Sequence, residues 1–593
     1  MSYSTKNSVG RRARSHTFMA LAAVIASGAG CSVQSGAPSL IDHTETVGEM
    51  LSVPLTAPVL FDSHGTKGVT VAMVDEQAEI YVNAADSSLM VNGVQVVDKT
   101  VNPNVVAYAA GSKLNVKTIA VSDSTATTGD LVILNYSNGM FGQGTAGTVA
   151  TTVSLTAGKA NTFVIKGTSG VDNFAFGATG ISLTNGAHTP VKDITTTNVA
   201  TYSVYMGAGD DIFSAGGNAA VGGVFVNATG VAVFGGAGND TLVEGAVPTA
   251  KETFSGGSGI DTVDYSARPN TNPVSVIIDA AGVMTSGDTP TTPGDPTAGA
   301  TEGDIILDAD VIKGSAGADF LMGGAAGVSV TLNGGPGNDT FCEGAALNSA
   351  DTLVGGGGVD TVDYSKRVAA LTVVMDGKTK SGGGVAGAEG DIIGTDVQNI
   401  NLGVAGGTYT GNALNNRFVS NKACTGTSII HGSTGDDTLD EGANANNGCN
   451  ETFHGEGGID TVDYSARTNP LHVTMDNTTP SGDTPTEGDL IDIDVENLYG
   501  GNKADTLVGN LLDNDIEGNG GGDTICGMAG NDTMVAFATV GVVGTAHLHG
   551  NDCADAVAES GAFNICLNTG TTGTPSTATL AGELAANCEV VGQ

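Results

Sequence analysis

The chain has 593 residues, enough for several compact domains or one long repeat array. Gly occurs 90 times, Trp is absent and aromatics make up 5% of the chain, which argues against a core filled by bulky rings and leaves the packing to aliphatic residues. The formal net charge of −41 repels nucleic acid and anionic lipid surfaces, attracts cations and strains any compact state that lacks counter-ions.

In chain order, residues 1–30 read as an export signal: a basic stretch with Lys6, Arg11, Arg12 and Arg14, an apolar run from Phe18 to Ala26, then small residues. The run is too short to span a bilayer, and no other segment has the roughly 18 continuous apolar residues that a span needs. Gly28-Ala29-Gly30-Cys31 resembles a bacterial lipoprotein signal, with Gly28 where such signals usually carry Leu. The resemblance implies lipid attachment at Cys31 and places the protein outside the cytoplasm, at the bacterial outer membrane or cell surface; ordinary signal cleavage with release is the plainer alternative. Without the four basic residues of the signal, 18 basic residues face 63 acidic ones, a net charge of −45. Residues 31–60 look like a polar tether. Residues 61–165 are rich in Val, Thr and Ala with recurrent turn residues, hence β, and are either an adhesive domain or the first coils of a larger array.

From there the chain repeats itself. Ile260-Asp261-Thr262-Val263-Asp264-Tyr265 returns at Val359 to Tyr364 and at Ile459 to Tyr464, each copy followed by Ser and then by Arg268, Arg367 or Arg467. A second phrase, Asn239 to Ala246, returns at Asn338 to Ala345 and at Asp436 to Ala443, and a Glu-Gly-Asp triplet recurs at Glu302, Glu389 and Glu487. The offsets near a hundred residues divide the chain into degenerate coils at 166–232, modules at 233–331, 332–429 and 430–535, and a Cys-containing cap at 536–593.

Inside the modules lies a nonapeptide. Gly500 to Val508, Gly509 to Glu517, Gly518 to Cys526 and Gly527 to Val535 follow one another without insertion, each opening on Gly with Asp or Asn sixth and an apolar residue eighth. The same frame fits segments starting at Gly167, Met206, Gly235, Gly256, Gly314, Gly334, Gly355, Gly432 and Gly455. One apolar residue at a fixed place in thirteen windows is not what random Gly-rich sequence gives.

At these residues the chain resembles the hemolysin-type calcium-binding repeats, the RTX family, whose unit is G-G-x-G-x-D-x-U-x. Gly235 to Val243 and Gly334 to Cys342 match it throughout; Asn416 and Asn514 replace the Asp, and Gly411 to Val419 lacks the usual Asp-Thr lead. The resemblance implies an all-β fold, a parallel β-solenoid with calcium-binding β-roll blocks in which two nonapeptides complete a coil. It also implies several Ca2+ ions held by Asp211, Asp240, Asp261, Asp319, Asp339, Asp360, Asp437, Asp460, Asp505, Asn514, Asp523 and Asp532. The chemistry agrees: glycine permits positive φ and a close approach of carbonyls, and calcium takes six to eight oxygen ligands, mixing carboxylates with carbonyls. Residues 18 apart should stack, so Asp505 is expected over Asp523 and Asn514 over Asp532, while spacings of 20 to 23 at Asp319, Asp339 and Asp360 and at Asp437 and Asp460 suit larger coils. Between clusters, Val274 to Asp279, Leu371 to Asp376 and Leu471 to Asp476 read as strands.

Blander readings stand beside these. A single Asp in a Gly turn is usually a turn former that bonds its own backbone, and only the recurrence favours a metal. Tyr265, Tyr364 and Tyr464 are expected to be structural, beside their arginines, rather than a sugar-binding ladder, and His547-Leu548-His549 an exposed strand pair rather than a zinc site. The Glu-Gly-Asp triplets are either extra ion ligands or solvated loops. Seven cysteines besides Cys31, four of them in the last 70 residues, are compatible with a disulfide-stapled cap. No H-E-x-x-H, G-x-S-x-G or P-loop motif occurs, so nothing marks an enzyme. The expected role is calcium binding in a structural or adhesive protein, with membrane contact only through the lipid and cell-surface polysaccharide or another surface protein as partner. A polysaccharide lyase, hydrolase or epimerase on a β-solenoid is the alternative.

Overall fold

The computed structural model describes most of residues 59–535, apart from several internal segments of which 288–302 is the longest, and two strands beyond, His547–His549 and Asn564–Cys566. The export signal, Cys31, the tether up to residue 58 and most of the cysteine-containing end lie outside the described residues, as does Asp279.

Strands and turns make up the described chain, and two long parallel ladders run through it. The tandem nonapeptides show the unit most simply. Thr506–Val508 pairs with Thr524–Cys526, and Asp515–Glu517 with Thr533–Val535, each in parallel at an 18-residue offset. One coil is therefore two three-residue strands joined by two six-residue turns. Elsewhere the coil grows without losing register: Thr241 aligns with Thr262, Thr340 with Thr361 and Thr438 with Thr461.

Alternation across a strand decides what goes inside. In each short strand only the middle residue, eighth of the nonapeptide, points inward. Phe174, Phe213, Leu242, Val263, Leu321, Phe341, Val362, Leu439, Val462, Leu507, Ile516, Ile525 and Met534 are all buried. Facing rows from the two ladders form one thin core, and this is how a chain without Trp covers both inner faces of a parallel sheet.

The N-terminal β region joins the same stack. Gly68–Met73, Thr118–Asp123 and Ala150–Ser154 extend one ladder, and Gln77–Val82, Leu131–Asn135 and Thr162–Lys166 the other. These residues are the first coils of the solenoid. At the far end His547–His549 and Asn564–Cys566 continue the two ladders for one further coil.

Each module interrupts this regularity once. After Thr262–Asp264, Thr361–Asp363 and Thr461–Asp463 the chain turns at the Tyr-Ser-x-Arg phrase and enters the strands read from sequence, Ser275–Ile278, Leu371–Val374 and Leu471–Thr474. Each folds back on an antiparallel partner, Val283–Gly287, Gly382–Gly383 or Gly482–Asp483, before the parallel ladder resumes.

Candidate metal sites

The sixth residue of each nonapeptide sits at the end of a turn, just before a strand, and its side chain folds inward. One carboxylate oxygen is fully used: it accepts the backbone N–H of the equivalent residue in the preceding coil. Oδ1 of Asp211 accepts from Asp172 at 2.7 Å, Asp240 from Asp211 at 2.9 Å and Asp261 from Asp240 at 2.8 Å. The ladder repeats from Asp339 to Asp319, Asp360 to Asp339, Asp460 to Asp437, Asp523 to Asp505 and Asp532 to Asn514, all between 2.8 and 3.0 Å. The stacking expected at 18, 20, 21 and 23 residues is thus present, carried by side chains bridging successive coils.

At Asp319 and Asp505 the other oxygen is used as well, accepting the N–H of Ser315 at 2.5 Å and of Gly501 at 2.8 Å, so these two turns satisfy both oxygens; at eight other levels it is left over. Oδ2 of Asp211, Asp240, Asp339, Asp360, Asp437, Asp460, Asp523 and Asp532 is buried and accepts no hydrogen bond. A buried carboxylate oxygen without a donor is costly, and burial pushes the turn aspartates, with or without such an oxygen, up from the usual carboxylate range. Asp211, Asp339, Asp437 and Asp523 rise to about 7 and Asp261, Asp319, Asp460 and Asp505 to about 6; the hydrogen bond from the neighbouring coil opposes the rise in every case, and nearby carboxylates add to it at most of them.

The opening glycine follows from the same geometry. A Cβ on Gly256 would lie 2.3 Å from Asp261 Oδ2, so the first place must be empty for the sixth side chain to fold over it. Four residues into the turn begun at Gly235, Gly238 has φ +128° and packs against the carbonyl of Gly209 in the coil before, a conformation and an approach that a side chain would prevent.

A row of carboxylate oxygens with no donors, in glycine turns whose carbonyls are open to close approach, fits a hard cation taking oxygen ligands. A family model for the RTX calcium-binding nonapeptide repeat matches four segments, residues 232–243, 307–326, 346–365 and 499–534. The chain carries RTX calcium-binding repeats. No curated protein matches the chain. The Asp ladder extends the RTX geometry beyond the matched segments, to Asp211 on one side and to Asp437 and Asp460 between them.

Asn514 keeps its place in the RTX ladder with a different chemistry. Its Nδ2 donates to the Glu496 carbonyl and to Asn510 Oδ1, both at 3.1 Å, so this turn satisfies its own inward group. Asn416 does the same with Gln398 and Asn412. Four members of the ladder fall outside the residues assigned from the sequence. Asp172 lies at the sixth place of the window from Gly167 and heads the first run. Asp310, Gln398 and Glu496 accept from the N–H of Asp261, Asp360 and Asp460 at 2.9, 2.7 and 2.8 Å, closing one run in each module from outside any glycine frame. Their common signal is a place immediately before the strands Val311–Lys313, Asn399–Asn401 and Asn497–Tyr499.

The remaining singled-out residues separate clearly. Tyr265, Tyr364 and Tyr464 are fully buried, each with its own arginine guanidinium 5.0 to 5.8 Å from the ring centroid, which removes them as an exposed sugar-binding ladder. Asp304, Asp391 and Asp489 of the Glu-Gly-Asp triplets are buried too, so the solvated-loop reading is corrected for these residues: each aspartate turns inward and accepts a tyrosine hydroxyl. Residues 547–549 form a strand, as expected.

Proposed function

We propose that the chain is an extracytoplasmic structural or adhesive protein whose solenoid is set by calcium, tethered to a bacterial surface through lipidated Cys31, and that it is not an enzyme. The observation that carries this reading is the row of buried, donor-free aspartate oxygens on successive coils: a divalent ion would neutralise it and join each coil to the next. The mature charge of −45 requires a cation-rich setting for the fold, and calcium is plentiful outside cells. The export signal and the Gly28-Ala29-Gly30-Cys31 sequence supply the route and the anchor.

Cell fractionation tests the location. Cys31→Ser is expected to move the protein from the detergent-extracted membrane fraction to the soluble one, and equal distribution of variant and wild type would refute the anchor. Incubation with a panel of acidic polysaccharides, with and without calcium, tests the role: calcium-dependent retention of intact polymer is expected, and release of shortened or unsaturated products would replace this reading with a catalytic one.

A further inference from the structure

Every coil of a solenoid has two edges. In the tandem block both edges carry glycine nonapeptide turns, with Asp505 over Asp523 at one and Asn514 over Asp532 at the other. The three modules differ. The coils that carry the second repeated phrase have a nonapeptide turn at one edge only, and at the other edge the chain passes through that phrase, the hairpin excursion and the Glu-Gly-Asp triplet. There the structure brings together Glu441, Glu451 and Asp489, whose nearest carboxylate oxygens all lie within 4.8 Å of one another. Glu343, Asp351 and Asp391 form the same group one module earlier, and Glu244, Glu252 and Asp304 one before that.

All nine side chains are buried. The three groups share one internal bond, from the backbone N–H of the middle residue to Oδ1 of the triplet aspartate: Glu252 to Asp304 at 2.9 Å, Asp351 to Asp391 at 3.1 Å and Glu451 to Asp489 at 3.0 Å. They share a second, from the module tyrosine to the other oxygen of that aspartate, 2.8 Å for Tyr464 and Asp489. A geometry kept three times at matching places in the repeat is part of how each module is built.

Positive charge falls short of what these groups need. In the third module Arg467 lies 3.0 Å from Glu441 and 2.6 Å from Glu487, so a single guanidinium faces four carboxylates. Two oxygens remain without a donor. Oε1 of Glu441 and Oε2 of Glu451 are buried and accept no hydrogen bond, although Arg467 holds the other oxygen of Glu441 and Ser420 the other oxygen of Glu451 at 3.1 Å. Several buried carboxylates with one cation and free oxygens require a further positive charge, and an all-oxygen set selects a hard ion. Ligand distances of about 2.4 Å on either side of a calcium ion span this separation, whereas magnesium demands about 2.0 Å and a nearly ideal octahedron.

We propose that Glu441, Glu451 and Asp489, and the matching carboxylates of the other two modules, each bind a calcium ion at the edge of the coil opposite the glycine turns. These interior sites use no nonapeptide residue. They tie the end of one strand, the start of the next and the return from the hairpin into one unit, fixing the excursion that would otherwise break the solenoid. The proposal shares with the RTX reading only the supply of calcium.

Counting tightly held ions on the full-length chain tests this, by loading with calcium, desalting and recording native mass spectra. Glu451→Gln keeps the shape and removes one ligand charge, and is expected to hold one calcium fewer than wild type. Asp523→Asn in a turn is expected to lose a different one, and the double variant both. Exposed Asp376→Asn serves as the control that keeps the wild-type number. If Glu451→Gln retains the full count while Asp523→Asn loses an ion, protons neutralise the interior cluster and the proposal is overturned with the turn sites intact; an unchanged Asp523→Asn would instead refute the turn sites. Should Glu451→Gln fail to fold, Glu343→Gln poses the same question one module earlier and is read in the same way.

Discussion

Asp523 lies in the middle of the only uninterrupted run of nonapeptides, and Asp523→Asn isolates what its charge does. Oδ1 accepts the Asp505 N–H at 3.0 Å, a bond the amide oxygen preserves. Oδ2 is buried without a donor, and the amide nitrogen that replaces it carries no charge to be neutralised there. In calcium-free buffer the substitution therefore removes an uncompensated buried charge and leaves stability unchanged or slightly higher. In calcium the variant loses one site. At a free calcium concentration a hundredfold above the dissociation constant, one site contributes about 2.7 kcal/mol, and that part of the calcium-dependent stabilisation should vanish. Asp376→Asn is the matched control, since Asp376 is exposed and caps a local turn through the N–H groups of Lys378 and Thr379. It loses the same single charge but should cost at most about 1 kcal/mol, equally in both buffers. Urea unfolding of wild type and both variants, with and without calcium, supplies the comparison; taking the calcium difference within each protein avoids assuming that a repeat array unfolds in one step. An equal calcium-dependent loss in both variants would mean that the ions form a diffuse cloud, and the assignment of turn sites would fail.

Three further outcomes are expected. Circular dichroism should show strand content rising as calcium is added to chelated protein, and a full strand signal in excess chelator, unchanged by millimolar calcium, would contradict a calcium-set fold. Without calcium, the turn aspartates take up protons more readily in the folded chain than in the unfolded one, because burial raises them to about 6 or 7. Their contribution is then fully present below the unfolded value near 4 and is lost as pH rises through 6 to 7, so the urea midpoint of apo protein should fall between pH 5 and pH 8, while calcium affinity rises over the same interval. An apo midpoint that climbs with pH would refute this. Asn514→Asp should add a calcium ion to the count and destabilise the chain in chelator, since it exchanges a self-satisfied amide for a carboxylate like that of Asp532; an unchanged ion count would show that this turn cannot close around a cation.

The solenoid was legible because its determinants are local and repeated. One inward residue per strand and one inward carboxylate per turn, at fixed spacing, specify the stacking of Asp505 on Asp523 and the burial of Leu507 and Ile525 with no knowledge of distant contacts. What escaped the sequence depends on residues far apart along the chain. Gln398 serves as acceptor for Asp360 only because the excursion after Tyr364 returns to the same edge, and no glycine frame marks its arrival. Asp489 lay in a triplet whose role as ion ligand or solvated loop stayed open, Glu441 in a repeated phrase and Glu451 in no motif, and only the fold shows that three separate segments bring them to one buried point. Likewise residues 61–165 lack the nonapeptide yet share the ladder, because strand pairing asks for apolar alternation and register rather than for a calcium turn.

The direction and breaks of the aspartate ladder carry a consequence for cooperativity. Each carboxylate joins two coils, so occupying one level orders a ligand of the next, and ions should bind as zippers running along an edge. The zippers have defined lengths: one runs from Asp172 to Asp310, one from Asp319 to Gln398 and one from Asn416 to Glu496, each ending on a side chain outside the glycine frame. Calcium should therefore fill this chain in blocks of neighbouring levels, each with its own midpoint, and damage to one turn should spread through its own run and stop at the run's end.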